Sequence, residues 1–381
     1  MLTEKQEEWN EYELGILLSY EQPTPYIVDS TEYNDKFKIP VLTAGKSFII
    51  GYTNETSGIY SALPVIIFDD FTTATQYVNF PFKVKSSAMK ILTANTELVS
   101  PKYIYYRMQI INFDHSTHKR YWIQHYSKIK ILIPPLPEQE RIVSKIEELF
   151  SDLDASIVDL KTAREKLKIY RQAVLKEAFS DIPYKKPIRE ITSIVTSGSR
   201  GWAKYYSDKG AKFIRIGNLT RINIDIVLDD LQYVDLPLEV EGKRSRLEPN
   251  DVLVSITADL GSIGLVPNSI GEAYINQHIA LVRFKNSAQG KYMAWYLRSY
   301  YGQKDLLKNK RGAGKVGLGL DDIRDAKVPI VSDEIANQTV TVIESKLSVC
   351  DNIEQTVDTA LQQAEALRYS ILKKAFEGGL I

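Results

Sequence analysis

The chain repeats itself, and this repeat limits what it can fold into more than any other feature. Lys130 to Phe179 align without gaps to Lys327 to Phe376, at an offset of 197, and fourteen of the fifty positions are identical. Unrelated segments, matching at about one position in twenty, would share about two or three. The identities include Val143/Val340, Ile146/Ile343, Glu147/Glu344, Asp154/Asp351, Arg171/Arg368, Leu175/Leu372, Lys176/Lys373, Ala178/Ala375 and Phe179/Phe376. A tandem duplication follows, and it sets the domain plan: a globular segment over 1–130, a long helix over 131–180, a second globular segment over 181–327 and a second long helix over 328–381.

Both repeats carry a coiled-coil period. Counting by sevens from Ile146 gives Leu153, Leu160, Leu167 and Val174, with Leu149, Ala163 and Tyr170 at the companion positions. The second repeat places Ile343, Cys350, Val357, Ala364 and Ile371 on its seam, accompanied by Ile353, Ala360 and Leu367. Pro134, Pro135 and Pro137 precede Glu138, Gln139 and Glu140 in the first turn of one helix; Ser332 and Asp333 are available as caps for the other. Gly378 and Gly379 stop the second helix. Some forty helical residues make a rod of roughly 60 Å. A lone rod would leave its apolar seam wet. Two such seams in one chain bury each other, and they run antiparallel if the segment between them is one compact domain.

The intervening segments have the alternation of globular α/β domains. Strand-like runs cover Lys38 to Leu42, Pro64 to Phe68, Phe80 to Lys85, Lys212 to Ile216, Asp251 to Ile256 and His278 to Phe284, and a helix is expected from Lys291 to Asn309. The expected class is therefore α/β (α+β): two globular domains joined by a pair of long antiparallel coiled-coil helices. Similar frames bearing dissimilar heads imply one kind of task performed on two different targets.

Cysteine and charge narrow the chemistry. The lone Cys350 has no disulfide partner within the chain, and its seam position makes it a small buried hydrophobe. With four histidines and no further cysteine there is no Cys-rich zinc pattern, and His115, His118 and His125 lack a ligand motif around them; no metal site is assigned. Neither a signal peptide nor an apolar run long enough for a membrane is visible, so the protein is expected in the cytoplasm. Gly312-Ala313-Gly314-Lys315-Val316-Gly317 fits a dinucleotide pattern by letter only, because it follows a basic helical segment and no helix opens after it. Asp235 with Glu241-Gly242-Lys243 lies in a turn-rich stretch with no strand to present the carboxylates of a nuclease. With no Walker sequence, methyl-donor loop or amino-methyltransferase motif, no catalytic residue is assigned.

Lys+Arg 48 balances Asp+Glu 48, so any preference for a polyanion lies in the distribution of charge. Five cations and one acid fall between Ser199 and Arg215, interleaved with aromatic residues. Arg200, Trp202, Lys204, Tyr205, Arg215 and Asn218 are the candidates for nucleic-acid contact there, and Lys310, Arg311 and Lys315 form a second basic window. Lys46, Tyr52, Lys83, Lys85 and Arg120 are the weaker candidates of the first head, with Lys90, Lys119, Tyr121 and Trp122 nearby. Asp225 to Glu241, with six acids and no base, is expected to face away from any polyanion. Each basic window is by itself compatible with an ordinary solvated loop.

The order of head, rod, head, rod resembles the specificity subunit of type I restriction–modification systems. The resemblance spans essentially the whole chain: ILIPPLPEQERIV and the weaker VPIVSDEIANQTV open the rods, and RQAVLKEAF and RYSILKKAF close them. PVLTAGKSFIIGYT and PVIIFDDFT in the first head are family-like, as are SGSRGWAKYYSDKGAKFIRIGNLT, NDVLVSITADLGSIGLV, EAYINQHIALVRF and GAGKVGLGLDDIRDAKVPI in the second. It implies two target-recognition domains, each reading half of a bipartite site in double-stranded DNA. The helices would act as spacer and as docking surface for two methyltransferase subunits, with restriction subunits joining through the complex. S-adenosylmethionine, ATP and magnesium would be used by those partners and not by this chain. Two alternatives are a coiled-coil scaffold that binds only proteins, and a self-contained DNA methyltransferase or nuclease.

Overall fold

A computed structural model describes residues 8–43, 47–113, 120–180, 182, 184–237, 243–308 and 317–380. Two compact units divide the chain, Met1–Leu160 with Thr359–Ile381, and Lys161–Asp358. Each contains one head together with a part of both long helices.

In the first unit, β1 (Asn10–Glu13), α1 (Leu14–Leu17) and β2 (Leu18–Glu21) are followed by β3 (Ile39–Leu42), β4 (Ile49–Thr53), β5 (Val65–Asp69) and β6 (Thr75–Val78). Next come β7 (Lys83–Val84), β8 (Met89–Ala94), α2 (Pro101–Met108), β9 (Lys130–Ile133) and the long α3 (Leu136–Ala178). An antiparallel sheet of order β2-β8-β5-β6 packs beside a smaller one of order β4-β3-β7, in which β3 and β7 are parallel. β5 reads Val-Ile-Ile-Phe-Asp and is buried throughout, the continuous apolar run of a strand covered on both faces. β1 pairs antiparallel with β9 and closes the head at the root of α3.

The second unit carries β10 (Lys185–Pro187), α4 (Ile188–Ile191), β11 (Thr192–Ser197), β12 (Tyr206–Ser207), β13 (Ala211–Ile214), β14 (Gln232–Val234) and β15 (Val252–Ser255). β16 (Ile263–Leu265), β17 (Ala273–Ile275), β18 (Ile279–Phe284), α5 (Gly290–Arg298), α6 (Tyr300–Leu307), α7 (Leu320–Asp325), β19 (Lys327–Pro329) and α8 (Asp333–Phe376) complete it. Its sheets have the orders β11-β18-β15-β16 and β12-β14-β13-β17, the latter with β13 parallel to β17, and β10 pairs with β19 at the root of α8. The larger antiparallel sheet and the parallel pair repeat the topology of the first head, and β12 is an additional edge strand beside β14.

Register confirms the equivalence at the connection leaving the parallel pair. The Lys85 amide donates to the Leu42 carbonyl at 2.9 Å, and the Asn276 amide donates to the Ile214 carbonyl at 3.1 Å. The head helices also correspond, although their sequences barely do. Lys102 of α2 pairs with Glu147 at 2.6 Å, and Lys291 of α5 pairs with Glu344 at 3.0 Å, the two glutamates being repeat equivalents. Tyr103 meets Phe376 edge-on and Tyr292 meets Phe179 the same way, with centroids 5.1 and 5.5 Å apart.

The helices run antiparallel within each unit. In the second, Arg164 pairs with Asp358, Arg171 with Asp351 and Glu354, and Glu177 with Lys346, so one number falls as the other rises. In the first, Arg368 pairs with Asp154 and lies over the Phe150 ring at 4.3 Å. Arg171–Asp351 and Arg368–Asp154 are the same contact made by exchanged repeat positions. Burial follows the heptads: Ile146, Val174, Ile343, Cys350, Val357, Ala364 and Ile371 are buried, and Leu153, Leu160 and Leu167 are half-buried. The companion positions Tyr170, Ile353 and Leu367 are instead 43% exposed or more. A helix with a single long neighbour covers only a narrow stripe, and the wider apolar face that the spacing predicts stays in solvent.

Three local features refine the sequence reading. The helix expected from Lys291 to Asn309 is broken at Ser299, whose hydroxyl accepts from the Gly302 amide and starts a new helix. A Cβ at Gly302 would lie 2.2 Å from the Tyr296 carbonyl, so only glycine permits the break. Gly378, at φ 76°, ends α8 in the left-handed conformation.

The third feature explains why the second helix opens without Pro-Pro-Leu-Pro-Glu-Gln. Gln139 is wholly buried; it accepts from the Ser100 amide and donates to the Leu98 and Pro134 carbonyls. Its repeat equivalent is Ala336, and Gln289 supplies the amide from the head side, donating to the Val331 carbonyl at 3.1 Å and to Asp333 at 2.6 Å. Among the described residues no helix is long and apolar enough to cross a membrane, and no group of three or more His, Cys, Asp or Glu is placed to hold a metal.

Candidate nucleic-acid interface

Two adjoining cavities open on the second head, at the ends of β13, β15 and β17. The larger, about 900 Å³, is lined by Arg200, Lys204, Arg244, Tyr205, Thr257 and Gln277 among others, with three cations and no carboxylate among the described residues of its wall. The smaller, about 450 Å³, has Arg215, Asn218, Asp230, Ala258, Asn276 and His278 in its lining. Ala258 holds a left-handed conformation at φ 53°, a strained geometry for a residue with a Cβ.

The backbone that frames these cavities is tightly fixed. Ser199 bridges Asn276, the Ile256 amide donates to the His278 carbonyl, and the Leu318 amide donates to the Ile256 carbonyl. At Gly198 a Cβ would sit 1.9 Å from the Ile275 carbonyl, so the 197–205 loop reaches β17 only because that position is glycine. Arg200 and Lys204 are exposed, and the Lys204 ammonium lies 4.9 Å from the centre of the half-buried Tyr205 ring. Arg215 is half-buried.

Several candidates turn out to be structural. Trp202 is 4% exposed, stacked on Phe213 and edge-on to Tyr274, so its indole belongs to a small core and is not offered to bases. Asn218 is buried: its Oδ1 accepts from the Arg215 amide, and its Nδ2 donates to the Val227 and Asp230 carbonyls, which pins the loop. Asp230 lines the smaller cavity, so the acidic segment does not face wholly away. In the first head, Lys83 is buried, 2.5 Å from Glu55 and donating to the Ser57 carbonyl, and Lys90 is buried beside Asp70 at 3.2 Å. Both lysines neutralise internal acids. Burial alone would raise the Glu55 carboxyl, but the hydrogen bonds from Lys83 and from the Ser30 and Asp29 amides hold it below the ordinary carboxylate value.

Tyr121 and Trp122 are likewise core residues. Lys85 and Arg120 are exposed and Tyr52 is half-buried on β4. Lys46, Lys119, Lys310, Arg311, Lys315, His115, His118, Glu241, Gly242 and positions 312–316 lie outside the described residues. The site also contains residues the charge census passes over: Arg244, Thr257, Gln277 and His278. Arg244 stands in the basic run Lys243-Arg244-Ser245-Arg246, directly after the acidic segment; the other three lie within family-like runs as uncharged residues, where a search for cations gives no signal.

Residues 6–166 and 189–363 match a family described as the type I restriction modification DNA specificity domain. The chain belongs to this family. It is 43% identical over 382 residues to the EcoR124I/EcoR124II type I restriction enzyme specificity subunit of Escherichia coli, covering 93% of this chain and 92% of the relative. It is 27% identical over 280 residues to the EcoBI specificity subunit of Escherichia coli, covering 65% of this chain and 58% of that one.

Among solved structures, the fold matches a chain from a study of complex assembly and conformational transition of the type I R-M system. That match has a TM-score of 0.74 at 17% identity and covers 100% of this chain and 99% of the other. The HsdS subunit from Thermoanaerobacter tengcongensis matches at 0.54 and 18% identity, covering 99% and 98%. The protein is thus a type I specificity subunit, the non-catalytic component that serves DNA recognition.

Proposed function

We propose that each head of this specificity subunit reads one half of a bipartite site in double-stranded DNA, and that the helices dock two methyltransferase subunits, with restriction subunits joining through the complex. The observation that carries the reading is the wall of Arg200, Lys204 and Arg244, with no carboxylate among its described residues, around a cleft that Thr257 and Gln277 also line. Cations beside phosphates supply affinity and register, and uncharged donors and acceptors supply sequence preference. S-adenosylmethionine, ATP and magnesium belong in this reading to the partner subunits. A neutral chain with few phosphate contacts binds weakly and salt-sensitively alone, and tightly once partners add their own cations.

The test is a gel shift of the purified chain, with and without its methyltransferase partner, followed by methylation mapping of a genome carrying the complete system. The expected result is a single bipartite motif that depends on this chain. A complex that assembles but binds no DNA would support the scaffold alternative, and methylation by the chain alone would support the enzymatic one.

A further inference from the structure

We propose that Gln277 reads an adenine from the major groove in the half-site of the second head, and that His278 and Thr257 are positioning residues that hold its amide. The inference rests on the reading of this cleft as a DNA interface and names the residues that would discriminate within it.

Gln277 lies in the three-residue connection between β17 and β18, where both cavities meet: it lines the larger cavity and His278 lines the smaller. The turn is held at both ends. The His278 amide donates to Asn276 Oδ1 at 3.1 Å, the Ile279 amide to the Asn276 carbonyl at 3.2 Å, and the Asn276 amide to the Ile214 carbonyl. Gln277 is half-exposed, so its amide reaches the cleft from a rigid base.

A chain of side-chain contacts then fixes the amide. Thr257 Oγ1 is 2.8 Å from His278 Nδ1, and Gln277 Nε2 is 2.9 Å from His278 Nε2. With the Gln277 amide nitrogen as donor, His278 accepts at Nε2 and carries its proton on Nδ1, donating to Thr257. One N–H and the Oε1 lone pairs of Gln277 remain, a donor beside an acceptor. That is the complement of N7 and N6–H of adenine in the major groove. The first head lacks this device: its corresponding connection, between β7 and β8, reads Lys85-Ser86-Ser87-Ala88. The frame is common to the heads and the reading group is particular to one.

A residue that merely shaped the turn would, when replaced, weaken binding to every sequence alike. The full chain, assembled with its methyltransferase partner, is therefore presented with duplexes randomised across both half-sites, as wild type and as Gln277→Glu, Gln277→Ala, His278→Ala, Thr257→Val and Thr257→Ser. Gln277→Glu is expected to exchange adenine for cytosine at one base pair of the second half-site, since a carboxylate accepts from cytosine N4. Gln277→Ala and His278→Ala should relax the preference at that same pair by about tenfold or more. Thr257→Val should do so more weakly, with Thr257→Ser restoring it. Affinity for random duplex should stay within about twofold throughout.

If the wild type selects a bipartite site and folded Gln277 variants keep its profile at every pair, or lose affinity uniformly, the assignment of Gln277 is wrong and the DNA interface stands. A wild-type complex that selects no sequence overturns the interface and the assignment together.

Discussion

The two heads of this subunit share the strand order of their larger antiparallel sheet, a parallel pair, a closing ribbon at the helix root and a lysine–glutamate contact to the helices. They differ in what their connections carry. After β17 the second head places Asn276, Gln277 and His278; after β7 the first places Lys85 and two serines. Within its parallel pair, the first head keeps Lys83 inside to neutralise Glu55, at a strand position where the second has Tyr274. The duplicated frame keeps its buried apolar contacts while the connections diverge, as expected if the connections face DNA in the proposed reading.

The comparison breaks most visibly if the heads are not independent. Replacing residues 184–325 with the corresponding segment of a relative should change the second half-site completely and leave the first intact, read by methylation mapping. A change in both half-sites would mean that the heads read DNA as one surface. The graft has to respect the helices, since Ile188, Val328, Val174 and Ile343 share one buried cluster.

Next in size are substitutions on the shared frame. Ile146→Asp and Ile343→Asp place a charge at repeat-equivalent positions with no exposed surface, and each should cost about 3–5 kcal/mol in thermal or denaturant unfolding. Leu160→Asp and Leu167→Asp, at half-buried positions, should cost less while still weakening partner assembly. Equal losses at all four would mean that burial does not grade the seam.

This gradation marks how far the sequence could be read. The period of seven identified the seam because repeated burial forces repeated apolar residues, and the antiparallel pairing followed from loop length. The exposed Tyr170, Ile353 and Leu367 were misplaced, since spacing reports which positions share a face and not how wide a neighbour covers it. In the heads, residue type was a poor guide to location. Lys83 and Trp202 had the right chemistry for DNA and proved to be interior, because each satisfies a local partner that lies far away in the chain. The Gln139 and Gln289 exchange could not be read at all: the same carbonyl is served from opposite sides by residues that do not align.

Lys83 gives a third test, confined to one head. Lys83→Ala leaves Glu55 without its counter-charge and should destabilise the first head by about 3 kcal/mol, with DNA affinity of the folded protein unchanged. The same pair predicts the sign of a pH effect. Because the Glu55 carboxyl is held below its ordinary value in the folded state, its contribution is present above the unfolded glutamate range near about 4.3 and is lost as pH falls through the lower folded value. Acid unfolding should therefore be less steep in Lys83→Ala than in wild type, in a plot of unfolding free energy against pH.

The smallest expected effect separates the exposed cations from the buried one. Lys85, Lys204 and Arg244 reach solvent, and the last two share a wall with no carboxylate among its described residues. Each replaced singly by alanine should leave thermal stability within about 0.5 kcal/mol, because exposed side chains with few contacts contribute little to folding. Each should lower the slope of log affinity against log salt by about one counterion, on cognate and random duplex alike. Lys83→Ala should do the reverse, changing stability and not the slope. Lys85 is the more informative, since it stands where the second head has Asn276, at the start of the connection that carries the proposed reader. If Lys85→Ala alters the preferred base in the first half-site and leaves the salt slope unchanged, the first head also reads sequence from this connection, with a lysine in place of a glutamine. If it lowers the slope uniformly, the two heads have divided positioning and reading differently across the same strand ends.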